Sequence, residues 1–161
     1  MLRYRIKSSQ ETKMPMYPEV MLVPMREELT RAGVEELRSA EEVASVLDRN
    51  EGTVMLVVNS VCGCAAGKMR PGVRLALEHA KQNGTLPDKT VSVFAGQDRE
   101  ATDKARSYTS PFPPSSPSVG ILRDGKLVYF MQRSDIEIRP AQEIAGLLAD
   151  AFKKYCAKAS V

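Results

Sequence analysis

The sequence predicts an α/β fold with three layers, in which a central mixed sheet of about four strands is flanked by helices. The apolar run at residues 54–58 is β-branched at three of five positions and follows Gly52, which is typical of a strand buried on both faces. Helical and strand patterns then alternate along the chain, and this alternation favours parallel strands joined by right-handed crossovers. A predicted hairpin and a terminal helix complete the layout.

Two helices are predicted ahead of the buried strand. Pro24 suits the first turn of a helix that ends at Gly33, because proline at that position loses no helical hydrogen bond. Ser39, followed three residues later by Glu42, forms a capping-box pattern for a second helix that ends near Asp48.

The buried strand is followed by a third helix, which runs to about residue 82, with a kink expected at Pro71 and Gly72. Residues 90–95 alternate as a strand, and Asp98 is a candidate N-cap for a helix that ends near Tyr108.

The last third of the chain predicts a hairpin and a helix. After the proline-rich segment 110–117, Asp124 and Gly125 form a tight-turn signal between strands at 119–122 and 126–130. The terminal helix runs from about residue 140 to 155. Its predicted apolar face consists of Ile144, Leu147, Leu148, Ala151 and Phe152.

Composition favours one globular domain. The chain has 161 residues, of which 43% are hydrophobic and 27% charged. We expect a flexible N-terminal extension at residues 1–13 and a single domain at residues 14–161. The extension carries four basic residues and one acidic residue, so it accounts for the whole net charge of +3. Because the remaining body is neutral, neither nucleic acid nor an acidic membrane surface is an expected partner.

The cysteine usage indicates redox or metal chemistry. No apolar run approaches the ~20 residues of a membrane span and no signal peptide is recognisable, which predicts a cytoplasmic protein. In that compartment, three cysteines with two of them at Cys62 and Cys64 do not suggest a structural disulfide framework. Glycine-rich phosphate loops are absent, and no cofactor is predicted.

The segment around Cys62 predicts a reactive thiol. Cys62 falls near a helix N-cap, where unpaired N–H groups and the helix dipole stabilise a thiolate and lower the thiol pKa. Lys68 and Arg70 add positive charge nearby. Gly63, between the two cysteines, gives the backbone freedom and leaves access to both sulfurs.

The order of elements, with a dithiol after the first long strand, resembles the thioredoxin-like fold. In such folds a loop with a cis-proline faces the dithiol, and Pro117 is the candidate for it.

Several motifs are similar to those of the bacilliredoxins, small bacterial thioredoxin-like proteins with a Cys-Gly-Cys site. The matching segments are NSVCGCAAG at 59–67, VFAGQDREAT at 93–102, PSSPS at 114–118 and PMREELT at 24–30. The resemblance extends from about Met14 to Cys156. After the hairpin the family commonly has Arg-His-x-Ile-Glu-Gly, whereas this chain has RSDIEI at 133–138, without the histidine and the glycine.

The resemblance implies a thiol–disulfide oxidoreductase that removes bacillithiol, a low-molecular-weight thiol, from S-thiolated client proteins. Cys62 and Cys64 are then the catalytic residues, and Pro117, Ser116 and Gly63 contact the substrate. Disulfide isomerase or reductase activity on other disulfides is the alternative within the same chemistry.

In the expected mechanism the Cys62 thiolate attacks the bacillithiol sulfur and frees the client. Residues two apart on a helix point about 200° apart, so a Cys62–Cys64 disulfide requires the helix start to unwind or tolerate strain. A free bacillithiol molecule or Cys156 is the other candidate for the resolving thiol. Arg133 is a candidate contact for an anionic carboxylate of the small thiol.

A metal-binding module is the alternative from another class. Zinc usually takes four ligands, and the chain offers three cysteines and His79, which lies about four turns along the helix from the dithiol. A copper(I) site formed by two thiolates is compatible with this spacing.

Overall fold

A five-stranded mixed sheet forms the centre of the computed structural model, which describes residues 15–157. The predicted extension at 1–13 lies outside the described residues. The strands are β1 (Glu35–Glu36), β2 (Thr53–Asn59), β3 (Lys89–Phe94), β4 (Ser118–Arg123) and β5 (Lys126–Met131). They are ordered β1-β3-β2-β4-β5, with β3 parallel to β1 and β2, and with β4 antiparallel to β2 and β5. The predicted α/β class and mixed sheet are confirmed, and the unpredicted strand β1 is a two-residue edge.

Helices cover both faces of this sheet. Their bounds are α1 (Glu19–Thr30), α2 (Ala40–Leu47), α3 (Arg70–Asn83), α4 (Arg99–Arg106), the short α5 (Arg133–Glu137) and α6 (Ala141–Tyr155). Side chains of α1, α3 and α6 contribute to one apolar core, and those of α2 and α4 contribute to the other. No helix among residues 15–157 is long and apolar enough to cross a membrane.

Strand β2 lies between the two cores, as its apolar run predicts. All seven of its residues are buried. Because successive side chains of a strand point to opposite faces, Met55 and Val57 enter the core of α1, α3 and α6, whereas Leu56 and Val58 enter the core of α2 and α4. The strand that precedes the cysteines is therefore held from both sides.

The predicted start of the first helix is wrong. Helix α1 begins at Glu19, so Pro24 lies inside it rather than in its first turn. Proline removes the hydrogen bond to the carbonyl four residues earlier, that of Val20. Val20 and Pro24 are both exposed, so water can reach this side of the helix.

A π-helical segment lies just before Pro71 and Gly72, where the sequence predicts a kink. The chain is helical from Gly63 onwards, and Ala65–Met69 is a π-helix that continues into α3. Proline cannot donate a backbone hydrogen bond, and its ring crowds the carbonyl of Gly67. A wider π turn accommodates both effects.

The predicted cap and turn signals correspond to local contacts. The Ser39 hydroxyl accepts a hydrogen bond from the Glu42 N–H at 3.1 Å, although the Glu42 carboxylate accepts from the backbone of Arg38 rather than of Ser39. Asp124 and Gly125 have φ values of 50° and 81°, the left-handed conformation that a two-residue hairpin turn requires.

Two further side-chain predictions are wrong. Asp98 precedes α4, but its side chain makes no cap hydrogen bond and instead accepts from Arg26 at 2.7 Å. Leaving a buried guanidinium without a charged partner costs more free energy than leaving one helix N-terminus without a side-chain cap. Leu147 is 36% exposed, because the buried stripe of α6 is narrower than the apolar pattern and consists of Ile144, Leu148, Ala151 and Phe152.

Helices α3 and α6 pack closely at Gly72. A Cβ atom at Gly72 would lie 2.6 Å from Cγ2 of Ile144, whereas one at Gly146 would have nothing within 4 Å. We therefore expect Gly72→Ala to lower the free energy of unfolding by about 1–3 kcal/mol. Gly146→Ala is the matched control, and we expect it to raise stability by up to about 1 kcal/mol through helix propensity. Urea unfolding measures the free energy of unfolding of both variants. Equal changes in Gly72→Ala and Gly146→Ala would contradict the close packing at Gly72.

Candidate functional site

The two cysteines lie in the turn between β2 and the following helix. The carbonyl of Cys62 accepts hydrogen bonds from the N–H groups of Ala65 at 3.0 Å and Ala66 at 3.1 Å, and Gly63 and Cys64 already have helical conformation. Cys62 thus occupies the N-cap position, as the sequence predicts. The buried strand β2 fixes the other side of the turn. The thiol is therefore presented by two rigid elements at the carboxyl end of the strand.

Ser60 is the immediate polar neighbour of the Cys62 sulfur. Its hydroxyl donates to Sγ of Cys62 at 3.1 Å and accepts from the Cys62 N–H at 3.4 Å. Burial alone would raise the pKa of Cys62. The Ser60 hydroxyl, the N–H groups at the helix start and the charge of Arg133 outweigh burial and hold the pKa below its usual range. Sequence reasoning missed Ser60, although its place two residues before Cys62 was a usable signal.

The positive charges predicted beside the thiol have other partners. The ammonium of Lys68 donates to the carbonyl of Glu137, and the guanidinium of Arg70 is buried against the carbonyl of Ser60. Arg133, from α5, is the cation that influences the pKa of Cys62. Arg70 is therefore close to the cysteine turn, as the sequence predicts, but both side chains are engaged with backbone carbonyls, a direction that sequence distance along a helix does not give.

Cys64 and Cys62 are both partly buried against the core of α1, α3 and α6. Neither is in a disulfide, and Cys64 has φ and ψ of −64° and −35°, well inside the helical region. Forming a Cys62–Cys64 disulfide therefore requires these first helical residues to change conformation. Gly63 is exposed and has open space where a Cβ would be, so the approach to the sulfurs is unobstructed there.

The cis-proline loop lies at the same edge of the sheet as Cys62. The Ser116–Pro117 peptide is cis, as predicted, and the Ser110–Pro111 peptide is also cis, which was not predicted. Val58 pairs with Ser118, so the loop that ends at Pro117 is beside the end of β2. Pro117 is buried and Ser116 is partly exposed, which leaves Ser116 accessible from the surface.

The segment that departs from the family pattern forms α5 beside this loop. The Arg133 N–H donates to Oγ of Ser115 at 2.8 Å, and the Arg133 side chain is 3.5 Å from the carboxylate of Glu137. Ile138, where the resemblance predicts a glycine, is 72% exposed. The chain thus adds an exposed apolar side chain next to Glu137, whose carbonyl binds Lys68 of the cysteine-bearing helix.

Cys156 lies far from the dithiol. Cys156 is 5% exposed and shares a cavity with Thr53, the first residue of β2, whereas Cys62 follows its last residue. A seven-residue strand spans about 20 Å. Direct resolution of a Cys62 intermediate by Cys156 is therefore incompatible with this fold.

The described residues give no support to zinc, the four-ligand form of the metal alternative, whereas the two-thiolate copper(I) site stays a prediction. His79 is exposed on α3, and its ring lies 3.4 Å from the amide of Asn83. Within residues 15–157 no group of three His, Cys, Asp or Glu side chains could hold a metal ion.

The dithiol lies outside the well-formed cavity on this side of the sheet. A cavity of about 850 Å³ lies between α1 and α3, lined by Glu28, Leu77 and Leu86 among others, and contains neither cysteine. The geometry of the thiols, rather than the size of the cavity, identifies the candidate site, because a partly exposed surface turn can meet a partner as large as another protein.

We expect Cys62 to be alkylated at lower pH in the folded protein than in the unfolded chain. Because its folded pKa is lowered, the thiolate forms below the ordinary thiol pKa of about 8.5. The measurement is the iodoacetamide rate against pH in a Cys64→Ser variant, with peptide mass spectrometry to separate Cys62 from Cys156. The same variant in urea is the control, and coincident pH profiles would contradict the prediction.

The chain matches a known family over most of its length. A family model described as disulphide isomerase matches residues 17–156. The bacilliredoxin of Koribacter versatilis is 62% identical over 88% of this chain and 94% of its own length. The bacilliredoxin of Cytophaga hutchinsonii is 52% identical over 81% of this chain and 93% of its own.

Solved structures resemble the fold. Fasciola hepatica thioredoxin aligns with a TM-score of 0.51 and 18% identity, over 76% of this chain and 99% of its own. A chain described as an oxidoreductase with a thioredoxin fold aligns with a TM-score of 0.52 and 15% identity, over 71% and 92%. At such identities the likeness concerns the fold alone, and it confirms the thioredoxin-like architecture.

Proposed function

The chain belongs to the disulphide isomerase family and is similar to bacilliredoxins over nearly their whole length, and from this premise we propose that it removes bacillithiol, or a similar low-molecular-weight thiol, from mixed disulfides of client proteins. The chain is a thiol–disulfide oxidoreductase. Its small-thiol substrate is the part that we propose.

The observation that supports this proposal is the position of the Cys62 thiol. It is at a helix N-cap, 3.1 Å from a hydroxyl donor, and partly open to solvent beside the cis-proline loop. These features stabilise a thiolate, and the thiolate is the species that attacks a disulfide. The open space at the exposed Gly63 also allows a folded client protein to reach the partly exposed sulfur.

The proposed reaction is a disulfide exchange without net oxidation. The Cys62 thiolate attacks the sulfur of the small thiol, a new S–S bond forms, and the bond between that sulfur and the client cysteine breaks. The client cysteine leaves as a thiolate and takes a proton from solvent. Cys62 then carries the small thiol as a mixed disulfide.

A second thiol regenerates Cys62. A free molecule of the small thiol can approach through the open side at Gly63, whereas Cys64 must first leave its helical conformation. We therefore propose that the free small thiol resolves the intermediate more readily than Cys64. In that step its thiolate attacks the mixed disulfide, Cys62 leaves, and a disulfide of two small thiols is released.

Disulfide isomerisation or reduction is the second candidate, and the description of the family model favours it. It uses the same nucleophile on a disulfide between two protein cysteines. A covalent complex between Cys62 and the client replaces the small-thiol adduct, so the masses of the intermediates separate the two candidates.

The test is intact-protein mass spectrometry after mixing the reduced protein with one client prepared in three forms: bacillithiolated, glutathionylated and internally disulfide-bonded. Transfer of one bacillithiol to Cys62, faster than transfer of glutathione, with release of reduced client, is the expected result. Equal rates for both small thiols would remove the proposed preference. Reaction with the internal disulfide alone would establish the second candidate instead.

A further inference from the structure

Arg70 is a buried cation directly behind the cysteine turn. The residue is 3% exposed, although it is the first residue of α3. Burying a guanidinium is unfavourable unless its N–H groups have partners. Its Nη1 donates to Oδ1 of Asn59 at 3.0 Å and to the carbonyl of Ser60 at 2.8 Å, and its Nε donates to the carboxylate of Glu28. Arg70 therefore binds the last residue of β2 and the first residue of the turn at once.

The same two residues are bonded to each other. The Ser60 N–H donates to Oδ1 of Asn59 at 2.9 Å, so this oxygen accepts from both Ser60 and Arg70. The amide of Asn59 also donates to the carbonyl of Met25 at 3.3 Å. Asn59 and Ser60 are buried, which keeps water from replacing these bonds. The backbone of Ser60 is consequently fixed on both its N–H and its carbonyl side.

A fixed Ser60 backbone directs the hydroxyl to the sulfur. Oγ of Ser60 is 3.1 Å from Sγ of Cys62, and the same oxygen accepts from the Cys62 N–H at 3.4 Å. A hydrogen bond to a thiolate is charge-assisted and is stronger than a bond between neutral groups. Its strength depends on alignment, so small rotations of the Ser60 backbone weaken it.

We propose that Arg70 is a positioning residue, which holds the Ser60 hydroxyl against the Cys62 sulfur and thereby sets the reactivity of a thiol with which its own guanidinium has no bond. This inference rests on the proposed role of Cys62 as the nucleophile. The ion pair with Glu28 anchors the guanidinium from α1, but the path to the sulfur runs through Asn59 and Ser60.

The other groups that face Cys62 make no bond to Arg70, Asn59 or Ser60. Arg133 approaches from α5 and is paired with Glu137, while Lys68 donates to a backbone carbonyl and Cys64 lies in the same turn as Cys62. Variants at Arg70 and Ser60 leave these groups in place. Ser60→Ala removes the hydroxyl bond alone, whereas Arg70→Met also removes a positive charge, and the double variant separates these two effects.

The test is the pH profile of Cys62 alkylation in a Cys64→Ser background. We expect Ser60→Ala to raise the pH of half-maximal rate by about one unit, the effect of one charge-assisted hydrogen bond. Arg70→Met should raise it by a similar amount. The double variant should show no more than the effect of Ser60→Ala alone, because both substitutions remove the same bond.

Glu28→Gln is the control for a purely structural role. It removes the ion pair between α1 and α3 but leaves Arg70 its bonds to Asn59 and Ser60, so the pH profile should not move. An equal shift in Glu28→Gln, an unchanged profile in Arg70→Met, or full additivity in the double variant would each overturn the proposal.

A second variant covers the case in which Arg70→Met does not fold. Asn59→Ala breaks the link between Arg70 and the Ser60 N–H without removing the guanidinium's ion pair, and the same upward shift is expected. An unchanged profile in Asn59→Ala would then overturn the proposal. Failure of the proposed function has a different signature, namely wild-type protein that does not accept the small thiol from a client.

Discussion

Cys62→Ser is expected to abolish release of the small thiol from a client, with a rate loss of at least about a thousandfold. A serine hydroxyl is almost entirely protonated near neutral pH and is a poor nucleophile toward sulfur, whereas the Cys62 thiolate is stabilised by Ser60 and by its N-cap position. Release of reduced client, followed by gel or mass spectrometry in single-turnover conditions, measures the loss.

Cys64→Ser is the matched control for this result, since it alters the same turn two residues away. We expect it to form the Cys62 adduct at a rate within about threefold of wild type, because Cys64 takes no part in the first exchange. Added free small thiol should then restore turnover. Loss of the first step in Cys64→Ser would exchange the proposed roles of the two cysteines.

The second large effect is expected at Arg26. Its guanidinium is 6% exposed and binds carboxylates of Asp98 at 2.7 Å, Glu36 at 2.9 Å and Glu19 at 2.7 Å, which ties α1 to β1 and to the loop after β3. Its centre also lies 5.1 Å from the centroid of the Phe94 ring. Arg26→Leu removes the buried cation from three carboxylates, two of them largely buried, and leaves only the half-exposed Arg38 beside Glu19 at 3.3 Å and Asp98 at 3.8 Å, so we expect a loss of about 3–5 kcal/mol in the free energy of unfolding.

Arg31→Leu is the control for the Arg26 measurement, because Arg31 pairs with Glu27 at 2.7 Å while its side chain is 80% exposed. An exposed pair on the same helix should contribute less than about 0.5 kcal/mol. Urea unfolding at neutral pH compares the two variants. Similar losses of stability in Arg26→Leu and Arg31→Leu would show that the buried ion pairs of Arg26 stabilise the fold no more than an exposed pair does.

Lowering the pH should reduce the difference in free energy of unfolding between wild type and Arg26→Leu. The hydrogen bond from Arg26 holds the pKa of Glu19 below its usual range. A lowered folded-state pKa contributes stability above the ordinary pKa of the carboxyl, and this contribution is lost as the pH falls through the folded-state value. The wild type loses that stabilisation on acidification, whereas the variant has only the smaller part that Gln97 and Arg38 provide. A stability difference between wild type and Arg26→Leu that becomes larger at low pH would contradict this prediction.

Local sequence patterns were sufficient to predict the strand, the turn and the helix start that hold Cys62. The apolar run of β2, the polar turn after it and the helical pattern that follows place Cys62 at a helix start from sequence alone. The resemblance to known folds correctly added the cis peptide before Pro117. These features depend on residues adjacent in sequence or on a motif, and for that reason they are readable without coordinates.

Contacts between distant segments decided the rest. Asp98 has the right sequence position to cap α4, but packing brings it to Arg26 from α1. Cys156 has the right chemistry to resolve an intermediate, but α6 ends beside the opposite end of β2. Arg70 reads as a charge near a thiol, yet it is buried against Asn59 and Ser60.

The sequence by itself therefore determined the α/β order of elements and the N-cap position of the nucleophile candidate. Only the tertiary structure decided which polar side chains surround that thiol. The physical reason is that propensity, periodicity and capping act over a few residues, whereas the direction of a long side chain such as that of Arg70 follows from which donors and acceptors the packed core leaves within its reach.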